Sequence, residues 1–194
     1  MIRFTLALLI LSLAIAGPAP AAESPSLLGG NRALAPGFKV KAIGGGTVEL
    51  DTLRAHGPVL LDFWATWCKP CLASLPEIEA LHRRHRARGL TVVGVSIDGP
   101  RNFVKVRPFA SRLGLSYPIV LDEDGRLQQN YRVLAVPTTF LVARDGTIRK
   151  VQQGYRPGDT AALEAAIDEL LAADASQPAS TDSLGAVPDS TAGR

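Results

Sequence analysis

The sequence predicts an α/β protein: a central mixed β-sheet with helices against both faces. Three observations carry that expectation. Residues 59–64 and 91–97 are dense in apolar and β-branched side chains without polar alternation, as in strands covered on both sides. Helical and strand-like patterns alternate along the chain. Finally, Gly44-Gly45-Gly46 and Asp145-Gly146 are tight-turn signals that join neighbouring strands antiparallel.

Each element has its own local reason. Residues 38–42 and 47–50 flank the glycine triplet and form an N-terminal β-hairpin. Strand 59–64 leads into a helical stretch over 68–88, which Pro76 interrupts; lacking an N–H and clashing with the preceding turn, it should kink the helix. Strand 91–97 follows. Helix 103–113 and the short strand 117–121 come next, then helix 126–131. Strands 138–142 and 148–152 enclose Arg144-Asp145-Gly146-Thr147. Asp159 is placed to cap a last helix whose Leu163, Ala166, Ile167, Leu170 and Leu171 share one face.

The ends differ from this middle. Arg3 precedes an apolar or small run over residues 5–16, and Ala19-Pro20-Ala21 offers a small-residue cleavage site, so 1–21 read as an export signal. The run of 12 residues falls short of the roughly 20 that span a bilayer, with an uncleaved anchor through Ala22 as the alternative. No cysteine occurs before Cys68, which excludes a lipoprotein. Residues 22–33 are a linker and 34–173 one domain. From Asp174 to the end, Ala, Ser, Pro, Asp and Thr without apolar periodicity indicate a disordered tail. The net charge of +3 is modest, and the densest basic run, Arg83, Arg84, Arg86 and Arg88, reads as a solvated helix face; nucleic acid is not an expected partner of an exported chain.

Trp67-Cys68-Lys69-Pro70-Cys71 contains the only two cysteines. In a Cys-x-x-Cys at a helix start, the first sulfur faces unpaired backbone N–H groups and the positive end of the helix dipole, which favour its thiolate. Cys68 is therefore the expected nucleophile. Cys71, one turn on, is placed to attack a mixed disulfide formed on Cys68. A structural bridge closing so small a loop would constrain the unfolded chain little. A zinc site would need further ligands among His56, His82 and His85; the latter two read as part of a solvated basic face and His56 as a loop residue, so no metal site is expected.

Residues 61–71, Leu-Asp-Phe-Trp-Ala-Thr-Trp-Cys-Lys-Pro-Cys, with Pro76 and the later Val136-Pro137-Thr138, resemble the thioredoxin superfamily. The stretch from Ala35-Pro36-Gly37-Phe38 through the hairpin, and the added helix and strand of 101–121, narrow the resemblance to the TlpA/ResA-like branch of exported thiol-disulfide oxidoreductases, over roughly residues 34–172. It implies a thioredoxin-like fold with a central helix-strand insertion. It also implies that Cys68 is the exposed attacking cysteine and Cys71 the resolving one, that Trp67 flanks the motif, and that Pro137 is a cis-proline presenting backbone at Val136 for strand-like pairing with substrate.

Two departures bear on mechanism. Where the branch commonly carries a glutamate three residues after the second cysteine, this chain has Ser74; Asp62 matches instead the buried acid of ordinary thioredoxins. Asp62 is thus the expected general base for Cys71, its pKa raised by burial. Lys69 and Pro70 occupy the dipeptide that tunes redox poise, Lys69 favouring the Cys68 thiolate and Pro70 stiffening the turn.

The resemblance implies a periplasmic reductant that needs no bound cofactor beyond its own Cys68–Cys71 dithiol. It would take electrons from a membrane thiol transporter and pass them to oxidised periplasmic proteins such as cytochrome c maturation or copper-site assembly factors, with membrane association through the N-terminus. An oxidant or isomerase is the alternative within enzymes. A chaperone holding Cu(I) between the two thiolates is the alternative from another class, weakened by the lack of a nearby Met or third Cys. A peroxidase fits less well, since the attacking cysteine of those relatives lies outside a Cys-x-x-Cys.

Overall fold

The computed structural model describes residues 33–176, so the proposed signal and nearly all of the linker lie outside the described residues. A hairpin of β1 (Lys39–Lys41) and β2 (Thr47–Glu49) opens it, with Lys39 opposite Glu49. After α1 (Leu50–Arg54) come β3 (Val59–Trp64), α2 (Lys69–His85), β4 (Thr91–Ser96), α3 (Phe103–Arg112), β5 (Ile119–Leu121) and α4 (Arg126–Asn130). The last elements are β6 (Thr138–Val142), β7 (Ile148–Gln153) and α5 (Asp159–Ser176). Five strands form one sheet in the order β5-β4-β3-β6-β7.

The middle position of β3 explains its unbroken apolar character. It pairs parallel with β4 and antiparallel with β6, and every residue in it is buried. Leu60 and Trp64 face one side, packing with Leu75, Ile78 and Leu81 of α2, Val106 and Ala110 of α3, and Leu163 and Ile167 of α5. Val59, Leu61 and Phe63 face the other, packing with Val48 and Leu50 from the hairpin region and with Leu127 and Tyr131 around α4. The expected mixed sheet with both faces covered is therefore present.

Several local expectations change. Leu50, expected as the last residue of a strand, instead opens a helix over 50–54 that the sequence pattern did not assign; five residues are too few to show a helical period. Strand β5 begins at Ile119, because Pro118 lacks an N–H, although its carbonyl still accepts from Gly94 N at 2.9 Å. Helix α2 is continuous through Pro76 and ends at His85, followed by a 3₁₀ turn, Arg86–Arg88, and Gly89 at φ 107°. Asp159 is the first helical residue and not the cap: its Oδ2 accepts from Arg156 N at 2.7 Å. Helix α5 also runs to Ser176, past the expected start of the tail at Asp174.

Gly57 joins α1 to β3 against the end of α2. A Cβ there would lie 2.3 Å from the Gly89 carbonyl oxygen, so the turn requires glycine.

Candidate active site

Strand β3 ends at Trp64, and the turn after it delivers the cysteines to the start of α2. Cys68 is the helix N-cap, in extended conformation, and its Sγ accepts a hydrogen bond from Cys71 N at 3.2 Å. Lys69 and Pro70 fill the first turn, which contains no acid, so nothing opposes the positive end of a 17-residue helix. Pro70 costs nothing here because a first-turn N–H has no helical partner. Cys68 and Cys71 are joined as a disulfide. The resemblance implied an exposed Cys68; in this oxidised form it is 4% exposed and Cys71 0%, because the aliphatic core closes around both.

The Val136–Pro137 bond is cis, and Cys68 Sγ lies 3.5 Å from the Val136 carbonyl oxygen. Val136 is half-buried and Pro137 buried. Gly154 N donates to the Pro137 carbonyl at 2.8 Å, anchoring this loop to the end of β7. Trp67, 60% exposed, stands beside the pair as a large apolar surface. The structure thus brings Trp67, Cys68, Lys69, Pro70, Val136 and Pro137 to one end of the sheet.

Asp62 lies within it. Two residues from both Leu60 and Trp64 on β3, it shares their face, the one that α2 covers, opposite Gly94 of β4 and Thr139 of β6. It is fully buried and neither carboxylate oxygen has a hydrogen-bond partner among the described residues. Burial pushes its pKa from 3.8 up to about 7. A carboxyl with that pKa takes or gives a proton near neutrality. Ser74, at the position of the branch's glutamate, is buried and donates to the Cys71 carbonyl at 3.2 Å, leaving it a structural part.

The sequence pattern missed Asp98. It is fully buried just beyond β4, accepts from Thr66 N at 2.9 Å and from the Thr66 and Ser96 hydroxyls, and so fixes the turn that carries Trp67 and Cys68. No periodicity signals a partnership across 32 residues.

The two helical histidines are not on a solvated face as the sequence suggested: His85 is buried, and His82 is half-buried with Nδ1 unpartnered among the described residues. His85 Nε2 contacts Glu164 Oε1 at 2.8 Å and Nδ1 contacts Arg88, while His82 packs edge-on against Tyr117. No group of three metal-binding side chains occurs among the described residues.

The AhpC/TSA family profile matches residues 32–151. Thiol-disulfide oxidoreductase ResA of Oceanobacillus iheyensis is 35% identical over 124 residues, 62% of this chain and 63% of that protein. ResA of Bacillus subtilis strain 168 is 33% identical over 120 residues, 62% of this chain and 65% of that protein. The chain thus spans less than two thirds of the length of these two relatives. Among solved structures, a protein provisionally described as thiol:disulfide interchange protein DsbE from Chlorobium tepidum superimposes with TM-score 0.67 at 31% identity, over 72% of this chain and 96% of that one. StoA of Bacillus subtilis gives 0.59 at 28%, over 69% and 97%.

Proposed function

Since this chain belongs to the AhpC/TSA family and has a thioredoxin-like fold, we propose that it is a thiol-disulfide oxidoreductase that reduces disulfides of partner proteins outside the cytoplasm. The observation that carries the reading is Cys68, a helix N-cap whose sulfur receives the Cys71 N–H, on a sheet end that also buries an unpartnered carboxyl titrating near 7. The names of the relatives support it.

The reduced protein acts in two displacements. The Cys68 thiolate attacks one sulfur of the partner's disulfide; a Cys68–partner bond forms, the partner's S–S bond breaks, and its second sulfur leaves as a thiolate that takes a proton. The Cys71 thiol then gives its proton to the Asp62 carboxylate and attacks Cys68 Sγ. The Cys68–Cys71 bond forms, the mixed disulfide breaks, and two electrons have passed to the partner. A dithiol donor, proposed to be a membrane thiol transporter, returns the electrons, and no bound cofactor takes part. The backbone at Val136 and the surface of Trp67 hold the partner during exchange. The finer proposal is a periplasmic reductant for oxidised partners of the cytochrome c maturation or copper-site assembly type.

Two measurements test this. Equilibration with dithiol buffers should place the Cys68–Cys71 potential near the thioredoxin level, about −270 mV; a value near about −120 mV would make it an oxidant. Asp62→Asn should slow release of a mixed disulfide trapped on Cys68, most strongly just above pH 7, where Asp62 is ionised and can accept a proton, and less above about pH 8.5, where an ordinary thiol ionises unaided. Unchanged resolution at every pH would remove Asp62 from the mechanism.

A further inference from the structure

The basic surface that matters is not the one with the most arginines. In the run at the end of α2 and in the 3₁₀ turn after it, Arg83 pairs with Glu79 at 2.5 Å, Arg84 with Glu164 at 3.2 Å, and Arg88 with Asp168 at 2.5 Å. That face is largely neutralised. Residues 99–121 instead hold Arg101, Lys105, Arg107 and Arg112 with no Asp or Glu, and residues 63–76 hold Lys69 with none. All five cations are exposed, and among the described residues none pairs with a carboxylate: Lys105 donates to Asn102 Oδ1 at 2.9 Å, Arg107 to the Ile43 carbonyl, and Arg112 lies 5.7 Å over the Phe109 ring.

Two of these cations, Lys105 and Arg112, line an apolar groove. Thr66 and Trp67 form one wall, and Val104, Lys105, Pro108, Phe109 and Arg112 of α3 the other. Val104 is 79% exposed, while Phe109 is held from beneath by stacking on buried Trp64 at 5.6 Å. The groove therefore has a rigid aromatic floor, a cationic rim, and one wall that is the residue preceding Cys68.

We propose that this groove receives an acidic segment of the oxidised partner, with carboxylates close to the attacked cysteine and an apolar side chain seated between Trp67 and Phe109. The proposal rests on the oxidoreductase reading and names the chemistry of its substrate. Unpaired cations beside an exposed aromatic attract carboxylates and speed encounter, an effect that salt suppresses. The apolar floor supplies the contact that screening does not remove.

The test offers the reduced full-length chain three peptides that differ only in the residues flanking a disulfide: glutamate, glutamine or lysine. At about 10 mM salt the glutamate peptide should exceed the lysine peptide in kcat/KM by about tenfold, and the ratio should approach one at about 1 M. In Lys105→Glu/Arg112→Glu the preference should invert. Equal kcat/KM for all three peptides overturns the groove and leaves the oxidoreductase reading intact. Fluorescence anisotropy of cysteine-free versions of the peptides on Cys68→Ala/Cys71→Ala separates docking from chemistry: a glutamate preference there, with no turnover by the native chain, upholds the groove and overturns the activity. Phosphatidylglycerol vesicles that bind the native chain but not Lys105→Glu/Arg112→Glu, with no peptide preference, would make this a membrane-facing surface and overturn the proposal.

Discussion

Asp62 and Asp98 are both fully buried, and their surroundings give them opposite parts. Asp98 is satisfied by one N–H and two hydroxyls around Thr66 and Ser96. Removing it leaves the partly buried Thr66 N–H and two hydroxyls without their acceptor, so Asp98→Ala should cost about 1–3 kcal/mol in urea unfolding and loosen the turn that holds Cys68. Asp62 has no such partners, and burial raises its folded pKa from 3.8 to about 7. A raised carboxyl pKa means that the fold prefers the proton. The stability it contributes is complete below pH 3.8, declines as pH rises, and is lost once pH passes about 7. Over that window the decline amounts to about 4 kcal/mol. Asp62→Asn, which cannot titrate, should therefore be more stable than the native protein at pH 8 by up to about 4 kcal/mol, with the advantage gone at pH 4. Urea midpoints across that range check it; parallel profiles for the two proteins would contradict it.

At the scale of elements, the site depends on how tightly α2 is held over β3 and β4. Gly94 is opposite Asp62 in the parallel register, and a Cβ there would meet Trp64 Nε1 at 3.0 Å and Tyr117 Cε2 at 3.1 Å. The missing side chain lets two large aromatic groups close over the sheet beside the acid. Gly94→Ala should destabilise by about 1–3 kcal/mol and alter the near-UV circular dichroism of Trp64, since both neighbours are buried and can yield little. At its far end α2 is tied to α5 through buried His85, whose Nε2 meets Glu164. Glu164→Ala would leave that ring nitrogen unpaired, and an expected loss of about 1–3 kcal/mol is measurable by thermal unfolding. The exposed residues of these helices are more tolerant.

For the whole domain, the sheet order sets a gradient of protection. Strand β3 has partners on both sides and no exposed residue, whereas β7 lies at the edge of the five-stranded sheet beside β6 and is exposed at Val151 and Gln153. Native-state hydrogen exchange should find the slowest amides in β3 and its neighbours β4 and β6, with β7 opening at lower free energy. The cysteine turn thus grows from the most protected strand, which lets Cys68 present a fixed geometry to partners of differing shape.

The buried strands were legible because their apolar, β-branched runs are local properties, and the cysteine pair because capping depends on residues three apart. Residue order by itself determined β3, the helix that begins at Cys68, the hairpins and the place of Asp62 on a strand. It did not reveal α1, whose five residues are shorter than any useful period, nor the offset of Asp159 from the cap by one position. Only the tertiary structure decided that Asp98 reaches back 32 residues to Thr66, that Arg84 and Arg88 are neutralised from α5, and that among the described residues Asp62 lacks a partner while Arg107 and Arg112 of α3 meet no carboxylate. Burial and Coulomb pairing depend on distance in space, and that distance is set only when elements far apart in the chain are packed together.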